Sequence, residues 1–362
     1  MNKILISGYY GFANAGDEAM LTAIVDSLRS QEPALEITVI SGNPKVTAQL
    51  HNVKAIPRFD VLQVMKAMAK TDILLSGGGS ILQDVTSTKS LFYYLSILSL
   101  GKLMGKKVVL FAQGVGPINS PFARKLTGYI CRKADLITVR DDGSSEELKT
   151  MGLDPKKIII TADAVFSLPT GNKQLGQSIL QKYNLGQKPL IGFALRHWQG
   201  EDRFCPEFAQ GAALLAQKFD AQIVFLPLQF PADEELSNKV KALMGDKQDA
   251  AFVLPQSFSA EEYLAIISNM QLLVGMRLHA LVFAALNSVP FLGVSYDPKV
   301  DRFVKAMDGK VTGDVAHITA LELTQKAEEL WQQKDPTLAG KIAGLRLEAK
   351  RNIQRVIKLL PK

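Results

Sequence analysis

The stretch 271–300, QLLVGMRLHALVFAALNSVPFLGVSYDPKV, constrains the fold of this chain more than any other. Two apolar runs, Leu272–Val274 and Ala280–Leu286, are separated only by Gly275–His279, and a further strand-like run, Val289–Val294, leads into Ser295-Tyr296-Asp297-Pro298-Lys299. Strand, short turn, buried helix and strand, in that order, is the pattern of a parallel α/β sheet. In such sheets ligands bind beyond the carboxyl ends of the strands. Arg277, His279 and Lys299 all follow strand ends, so they should face one crevice. Residues 277 and 279 share a side only if the chain between them is extended, which places the helix start at about 279. The free N–H groups of that first helical turn then join the side-chain donors. The combination suits a small anion with an imidazole beside it.

A chain of 362 residues exceeds one ordinary core and predicts two domains. With 47% hydrophobic and 21% charged residues it reads as soluble and globular. No window reaches the roughly 18 uninterrupted apolar residues of a membrane span. The richest candidate, Leu91–Met104, is broken by Lys102 and carries Ser96, Ser99 and Gly101. Gly8, Gly11 and Gly16 interrupt the apolar N-terminus and argue against a signal peptide. Cys131 and Cys205 stand far apart with no metal spacing, which points to a reducing cytoplasm. The net charge of +7 admits two kinds of partner. Nucleic acid is disfavoured, because the cations are spread along the chain with no basic run interleaved with aromatics. Anionic substrates, or an anionic membrane face presenting a lipid-linked substrate, remain.

Strand, turn and helix repeat through the first half. Strands are expected at Lys3–Tyr9, Glu36–Ser41, Asp72–Ser76, Lys107–Ala112, Leu136–Arg140 and Ile158–Thr161, with helical periodicity over Ala19–Leu28 and helices near 60–70, 87–103, 121–133 and 143–150. After a linker-like stretch from Leu168 the pattern restarts, with strands at Leu190–Leu195, Gln222–Pro227, Phe252–Leu254, Leu272–Val274 and Phe291–Val294. The fold expected is α/β, two Rossmann-like domains facing each other over a cleft, over 1–168 and 175–335. Residues 336–362 carry Lys, Arg, Leu and Ile at helical spacing and should form a long helix that packs back on the domains. A basic helix lying on a membrane is the alternative.

Glycine-rich turns follow three strands of the first half. GYYGFANAGDE carries Asn14, Asp17 and Glu18, but its glycines lack the dinucleotide-binding spacing. Asp17 or Asn14 could simply cap the next helix. Two acids at a helix start would repel phosphate and favour sugar hydroxyls, with Asp17 as a candidate base. SGGGSILQD brings Gly78 and Gly79 close to a ligand, with Gln83 and Asp84 just beyond, and Gln113-Gly-Val-Gly-Pro forms the third turn. Asn14, Asp17, Gly78, Gly79, Gln83 and Gln113 are therefore the candidate acceptor contacts.

Arg140 ends a strand and precedes Asp141, so it is either a surface ion pair or part of the site. Arg196 and His197 repeat that placement in the second half. His51 and His317 sit in polar segments and are expected to be solvated. His279 could be a buried structural histidine, but Arg277 beside it argues for a site, since burying an unpaired guanidinium is costly. No His or Cys lies at ligand spacing, so no metal site is expected.

Taken in order, GYYGFANAGDEAM, LLSGGGSILQD, FAQGVGP, TVRDD, GMRLHALVFAA and GVSYDPKV resemble the polysaccharide pyruvyl transferase family over roughly residues 1–335. The likeness is greatest to the bacterial branch that pyruvylates the secondary cell wall polymer anchoring S-layer proteins. The resemblance implies a GT-B-like architecture and transfer of the pyruvyl group of phosphoenolpyruvate to two hydroxyls of one sugar. In that branch these are O4 and O6 of a β-linked N-acetylmannosamine on a lipid-linked disaccharide. It also implies that Arg277, Leu278 (through its backbone) and His279 bind the donor, with Arg140 and Lys299 as further active-site residues.

The chemistry fits those residue types. Phosphoenolpyruvate carries a carboxylate and a phosphate, and arginine suits both. Protonation at C3 and attack at C2 need an acid and a base, for which His279, Asp17 and Arg140 are the catalytic candidates. No redox cofactor, nucleotide or metal is required. The expected partners are phosphoenolpyruvate and a lipid-linked saccharide, and the expected location is cytoplasmic or peripheral at the inner membrane face. A nucleotide-sugar glycosyltransferase of GT-B architecture is the alternative enzyme, and a non-catalytic sugar binder the alternative from another class. Arg277→Ala is expected to impair donor handling far more than folding.

Overall fold

Strands whose residues are nearly all apolar must be covered on both faces, and helices between parallel strands provide that cover. In the computed structural model, which describes residues 1–332 and 337–361, this arrangement is built twice. The first run of elements is β1 (Lys3–Ser7), α1 (Ala15–Gln31), β2 (Glu36–Ser41), α2 (Pro44–His51), β3 (Lys54–Pro57), α3 (Val61–Ala69), β4 (Ile73–Gly77), α4 (Thr88–Leu103), β5 (Lys107–Gln113), α5 (Pro121–Cys131), β6 (Leu136–Val139), α6 (Asp142–Thr150) and β7 (Ile158–Ile160). Its seven parallel strands lie in the order β3-β2-β1-β4-β5-β6-β7.

The second run is α7 (Lys173–Gln181), β8 (Leu190–Ala194), α8 (Glu201–Lys218), β9 (Gln222–Phe225), α9 (Ala232–Ala242), β10 (Ala251–Val253), α10 (Ala260–Ile267), β11 (Leu272–Gly275), α11 (Leu278–Leu286), β12 (Phe291–Ser295), α12 (Pro298–Ala306), β13 (Lys310–Asp314) and α13 (Ala320–Gln332), before α14 (Leu338–Ile357). Its six strands follow the order β10-β9-β8-β11-β12-β13. Both sheets reverse strand order once, at β1/β4 and at β8/β11. Those two points are where a doubly wound sheet opens a crevice.

The contacts divide the chain into two compact units. One comprises 1–12, 17–168 and 343–362, the other 13–16 and 169–342. The expected boundary at 335/336 lies outside the described residues. Four residues of the first glycine-rich turn thus belong to the second unit, and the chain's end belongs to the first. In α14, Ala349, Asn352, Ile353 and Val356 are buried, and Arg346 donates to the Leu168 carbonyl at 2.6 Å.

Several expectations need correction. Strands β3 and β13 and helix α2 were not anticipated. Helix α11 starts at Leu278 with Arg277 as its N-cap, one residue before the expected start. His51 is not solvated: it ends α2, is buried, and its Nε2 lies 2.9 Å from Glu18, with Nδ1 3.3 Å from Thr22. His317 is exposed, as expected. Both cysteines are buried, and burial pushes the Cys131 thiol up to about 12 and Cys205 up to about 11, which leaves both protonated and unreactive. Among the described residues no helix is long and apolar enough to cross a membrane, and no cluster of His, Cys, Asp or Glu could hold a metal ion.

Candidate active site

In the first unit the turns after β1, β4, β5 and β6 converge. Gly78 and Gly79 adopt φ of +63° and +71°, a left-handed conformation that side chains rarely take. A Cβ on Gly79 would lie 3.4 Å from the Asp17 carboxylate, so the first two turns meet there. Tyr10, fully buried, donates to the Gly77 carbonyl at 2.5 Å and supports the turn from below. Burial, then the charges of Asp17 and Glu18, hold its phenol well above the ordinary range, so it stays a neutral donor.

Arg140 is not a surface residue. Its side chain is 6% exposed and donates to Asp163 at 3.0 Å and to Ser80 at 2.8 Å, while Asp141 stands 3.6 Å away. The Ser80 hydroxyl and the Arg140 guanidinium both crowd the bare Cα of Gly114. Asp17, Gly79, Ser80, Gly114, Arg140 and Asp163 thus form one polar constellation at the strand ends. The sequence reading missed Asp163 and Ser80. Asp163 follows the strand Ile158–Thr161, and a carboxylate at a strand end was the signal available.

Other candidates have different duties. Gln113 is fully buried, its amide donating to the Gly79 carbonyl at 2.6 Å while its oxygen accepts from Ser76 at 3.2 Å. It shapes the glycine turn from inside. Gln83 is tied to Thr86 in a local loop. Asp84 accepts the N–H groups of Asn119 and Ser120 at 2.8 and 2.9 Å and joins the second and third turns. Glu18 accepts from the Gly11 N–H at 2.8 Å and pairs with His51, so it fastens the first turn.

In the second unit Arg277 meets a carboxylate that the sequence reading did not find. Its Nε donates to Asp233 Oδ2 at 2.8 Å, and its Nη2 donates to the other Asp233 oxygen and to Gln229 at 3.1 Å. Asp233 has no exposure at all and also accepts the Gln229 N–H at 2.9 Å. One edge of the guanidinium is therefore taken, while Nη1 makes no hydrogen bond among the described residues. Asp233 lies 44 residues from Arg277, and nothing local marks it.

Residues 13–16 dock on this clamp. Asn14 pairs antiparallel with Gln229, the Ala15 N–H donates to the Leu228 carbonyl at 2.8 Å, and the Asn14 side chain accepts from Gly16 at 3.0 Å. A Cβ on Gly16 would lie 2.1 Å from His279 Nδ1, so only glycine lets the imidazole rest against the backbone. His279 and Leu278 open α11, whose start has no side-chain cap. Asn14 therefore belongs with Arg277 and His279 in this unit.

The neighbouring strands supply more cations. Register extends from Gly275 to Ala194 on one side and to Gly293 on the other, so Arg196 and the β12 end flank Arg277. Arg196 donates to the Tyr296 hydroxyl at 2.7 Å and stacks over its ring. Lys299 lies over the same ring and bonds Asp297 at 3.0 Å. Burial raises the Asp297 carboxyl, but the Lys299 charge and its hydrogen bonds outweigh that and hold it below the ordinary range. His197 is exposed, between Glu201 and the Ala232 carbonyl.

Two parallel-sheet α/β units, each with polar groups at its strand-order reversal, define a protein of the GT-B-like class. The solved structure of UDP-GlcNAc 2-epimerase from Methanocaldococcus jannaschii shares this fold (TM-score 0.70, 14% identity, 99% of each chain). So does the S. aureus MnaA–UDP co-structure (TM-score 0.68, 15% identity, 99% of this chain and 95% of that one). At such identities the likeness shows the fold alone. Residues 14–298 match the polysaccharide pyruvyl transferase family, and the chain belongs to it. Amylovoran biosynthesis protein AmsJ of Erwinia amylovora is 21% identical over 355 residues, covering 82% of this chain and 84% of AmsJ. The chain is an enzyme of pyruvyl transfer in polysaccharide biosynthesis.

Proposed function

We propose that the enzyme moves the pyruvyl group of phosphoenolpyruvate onto O4 and O6 of a β-linked N-acetylmannosamine in a lipid-linked precursor of a cell wall polymer that anchors S-layer proteins. A cyclic ketal forms and phosphate leaves. The observation that carries this reading is the cluster of Arg196, Arg277 and Lys299 at three adjacent strand ends, around an uncapped helix start that holds His279. Such a place suits a small molecule with two anionic groups.

In this reading Arg277 presents Nη1 to the donor while Asp233 fixes its plane. The Leu278 backbone N–H and Lys299 complete the donor contacts. A proton reaches C3 of the enol phosphate, from His279 or, where His279 instead donates to the leaving phosphate, from the first sugar hydroxyl, and C2 becomes oxocarbenium-like as that hydroxyl attacks. Phosphate departs with one hydroxyl proton, and the second hydroxyl closes the ring. Asp17 takes a hydroxyl proton, with Gly78, Gly79 and the Arg140–Asp163 pair shaping the acceptor side. None of these steps needs a redox cofactor, a nucleotide or a metal.

The test is product analysis with phosphoenolpyruvate and synthetic lipid-linked acceptors ending in β-N-acetylmannosamine. One phosphate released per acceptor, with the acceptor gaining a carboxyl-bearing ketal, is the expected result. Gain of a whole sugar from a nucleotide sugar, with no reaction of phosphoenolpyruvate, would put a glycosyltransferase in its place.

A further inference from the structure

The excess positive charge of this chain lies on three neighbouring helices of the first unit. Helices α3, α4 and α5 cover the same side of its sheet. The Lys106 ammonium after α4 donates to the Ala69 carbonyl at the end of α3 at 2.7 Å, and the Phe92 and Phe122 rings of α4 and α5 lie 6.2 Å apart. All three helices send apolar residues into one core cluster. Across 61–70, 88–106 and 121–133, these helices and the turns that close them carry nine Lys or Arg and no Asp or Glu. The rest of the chain holds 33 Lys or Arg against 35 Asp or Glu. Lys102 and Lys107 pair with Asp135, and Arg124 with Glu147. Lys66, Lys70, Lys89, Lys125 and Arg132 form no ion pair among the described residues, and all five are exposed.

The same face leaves large apolar side chains in water. Phe59 is 77% exposed, Val61 67%, Leu62 70% and Phe122 66%. Helix α3 already buries Val64 and Met68, so Val61, Leu62 and Met65 form a second apolar stripe on its outer side. Contiguous exposed apolar surface ringed by cations marks an interaction site. Phe59, Leu62 and Phe122 stand at or just before helix starts. In a parallel sheet this is the edge where the strands end and the glycine-rich turns lie.

We propose that this face docks the protein on an anionic phospholipid bilayer. Cations along α3–α5 lie against the headgroups, and Phe59, Val61, Leu62 and Phe122 enter the interface beneath them. A soluble polyanion would satisfy the lysines but leave the apolar tips in water, and that decides between the two partners. The assignment holds whichever donor and sugar the enzyme uses. If the acceptor is lipid-linked, the docked edge is the one beside Asp17 and Gly79.

Vesicle cosedimentation tests it without any turnover, so its outcome is separate from that of the donor assignment. The full-length protein should bind phosphatidylglycerol–phosphatidylcholine vesicles and not phosphatidylcholine alone. Lys66→Glu/Lys125→Glu should weaken binding at least tenfold, since each lysine near such a surface contributes about fivefold. Phe59→Ser/Leu62→Ser should also weaken it about tenfold or more, with an unchanged melting temperature. Lys173→Glu/Lys182→Glu, at the two ends of α7, makes the same change in net charge on exposed residues of the second unit and should change binding less than twofold. Equal binding to both vesicle types would overturn the proposal, as would an equal loss in the α7 control. Tight heparin binding, with vesicle binding indifferent to Phe59→Ser/Leu62→Ser, would make this a polyanion surface instead.

Discussion

Arg277 is held by a carboxylate that has no contact with water, and this changes what its removal does. Taking the guanidinium away leaves Asp233 charged, buried and unpaired, which typically costs about 3–5 kcal/mol. Arg277→Ala should therefore lower stability as well as turnover, contrary to the sequence-based expectation. Asp233→Asn/Arg277→Met should recover much of the stability but none of the activity, and urea unfolding beside phosphate release would show whether it does. Gly16→Ala is the complementary test. Alanine favours a helix start, so the fold should hold, yet its methyl must displace the His279 ring. An ångström of misplacement is enough for about a 10²-fold loss in rate. Parental turnover with unchanged His279 ring shifts would remove Gly16 from the site.

Asp297 carries a pH prediction at the same scale. A carboxyl depressed by folding stabilises the protein above its unfolded pKa of about 3.9, and that contribution is lost as pH falls through the folded value. Lys299→Met should move the Asp297 midpoint upward in a carboxyl NMR titration and reduce stability at neutral pH. A midpoint that stays where it was would mean that another group holds the carboxylate.

Among the elements, the interior strands were legible because their residues are apolar on both faces. Leu272–Gly275 and Phe291–Ser295 are buried throughout. Of the four edge strands, β7 and β10 were legible and β3 and β13 were not. β3 reads KAIP and has no buried residue, and β13 reads KVTGD, with Lys, Gly and Asp in five positions. A short, polar edge strand resists further pairing, and the same property hides β3 and β13 from a hydrophobicity reading. Packing between helices was equally invisible. Gly176 of α7 brings its Cα so close to α10 that a methyl would lie 2.0 Å from the Ala265 carbonyl oxygen. Gly176→Ala should destabilise by about 1–3 kcal/mol, although alanine alone would favour the helix by about 1. A gain in urea midpoint would show that α7 can move aside at little cost.

For the whole molecule, the chain leaves each unit and returns. Residues 343–362 belong to the first unit, where Asn352 and Val356 have no exposure. Truncation after Ile342 should raise amide exchange across the first sheet and leave the second protected. Equal exchange in both sheets, or none gained, would count against the division. The charge distribution is also a property of this scale. Along the chain the cations look scattered, and only the crossovers that put α3, α4 and α5 on one face collect them.

The sequence by itself determined the class of fold and which polar residues follow its strand ends, because both rest on local regularities. Short apolar runs alternating with helices specify parallel sheets, and polar residues just past strand ends must face the crevice side. Arg140, Arg277, His279 and Lys299 were placed just past strand ends in that way, where the structure also has them. The tertiary structure alone decided what each of them touches. Asp233 reaches Arg277 from 44 residues away, Asp163 reaches Arg140 from 23, and Gly16 meets His279 across most of the chain. A hydrogen bond needs about 3 Å in space and leaves no trace of its partner in the spacing of either residue.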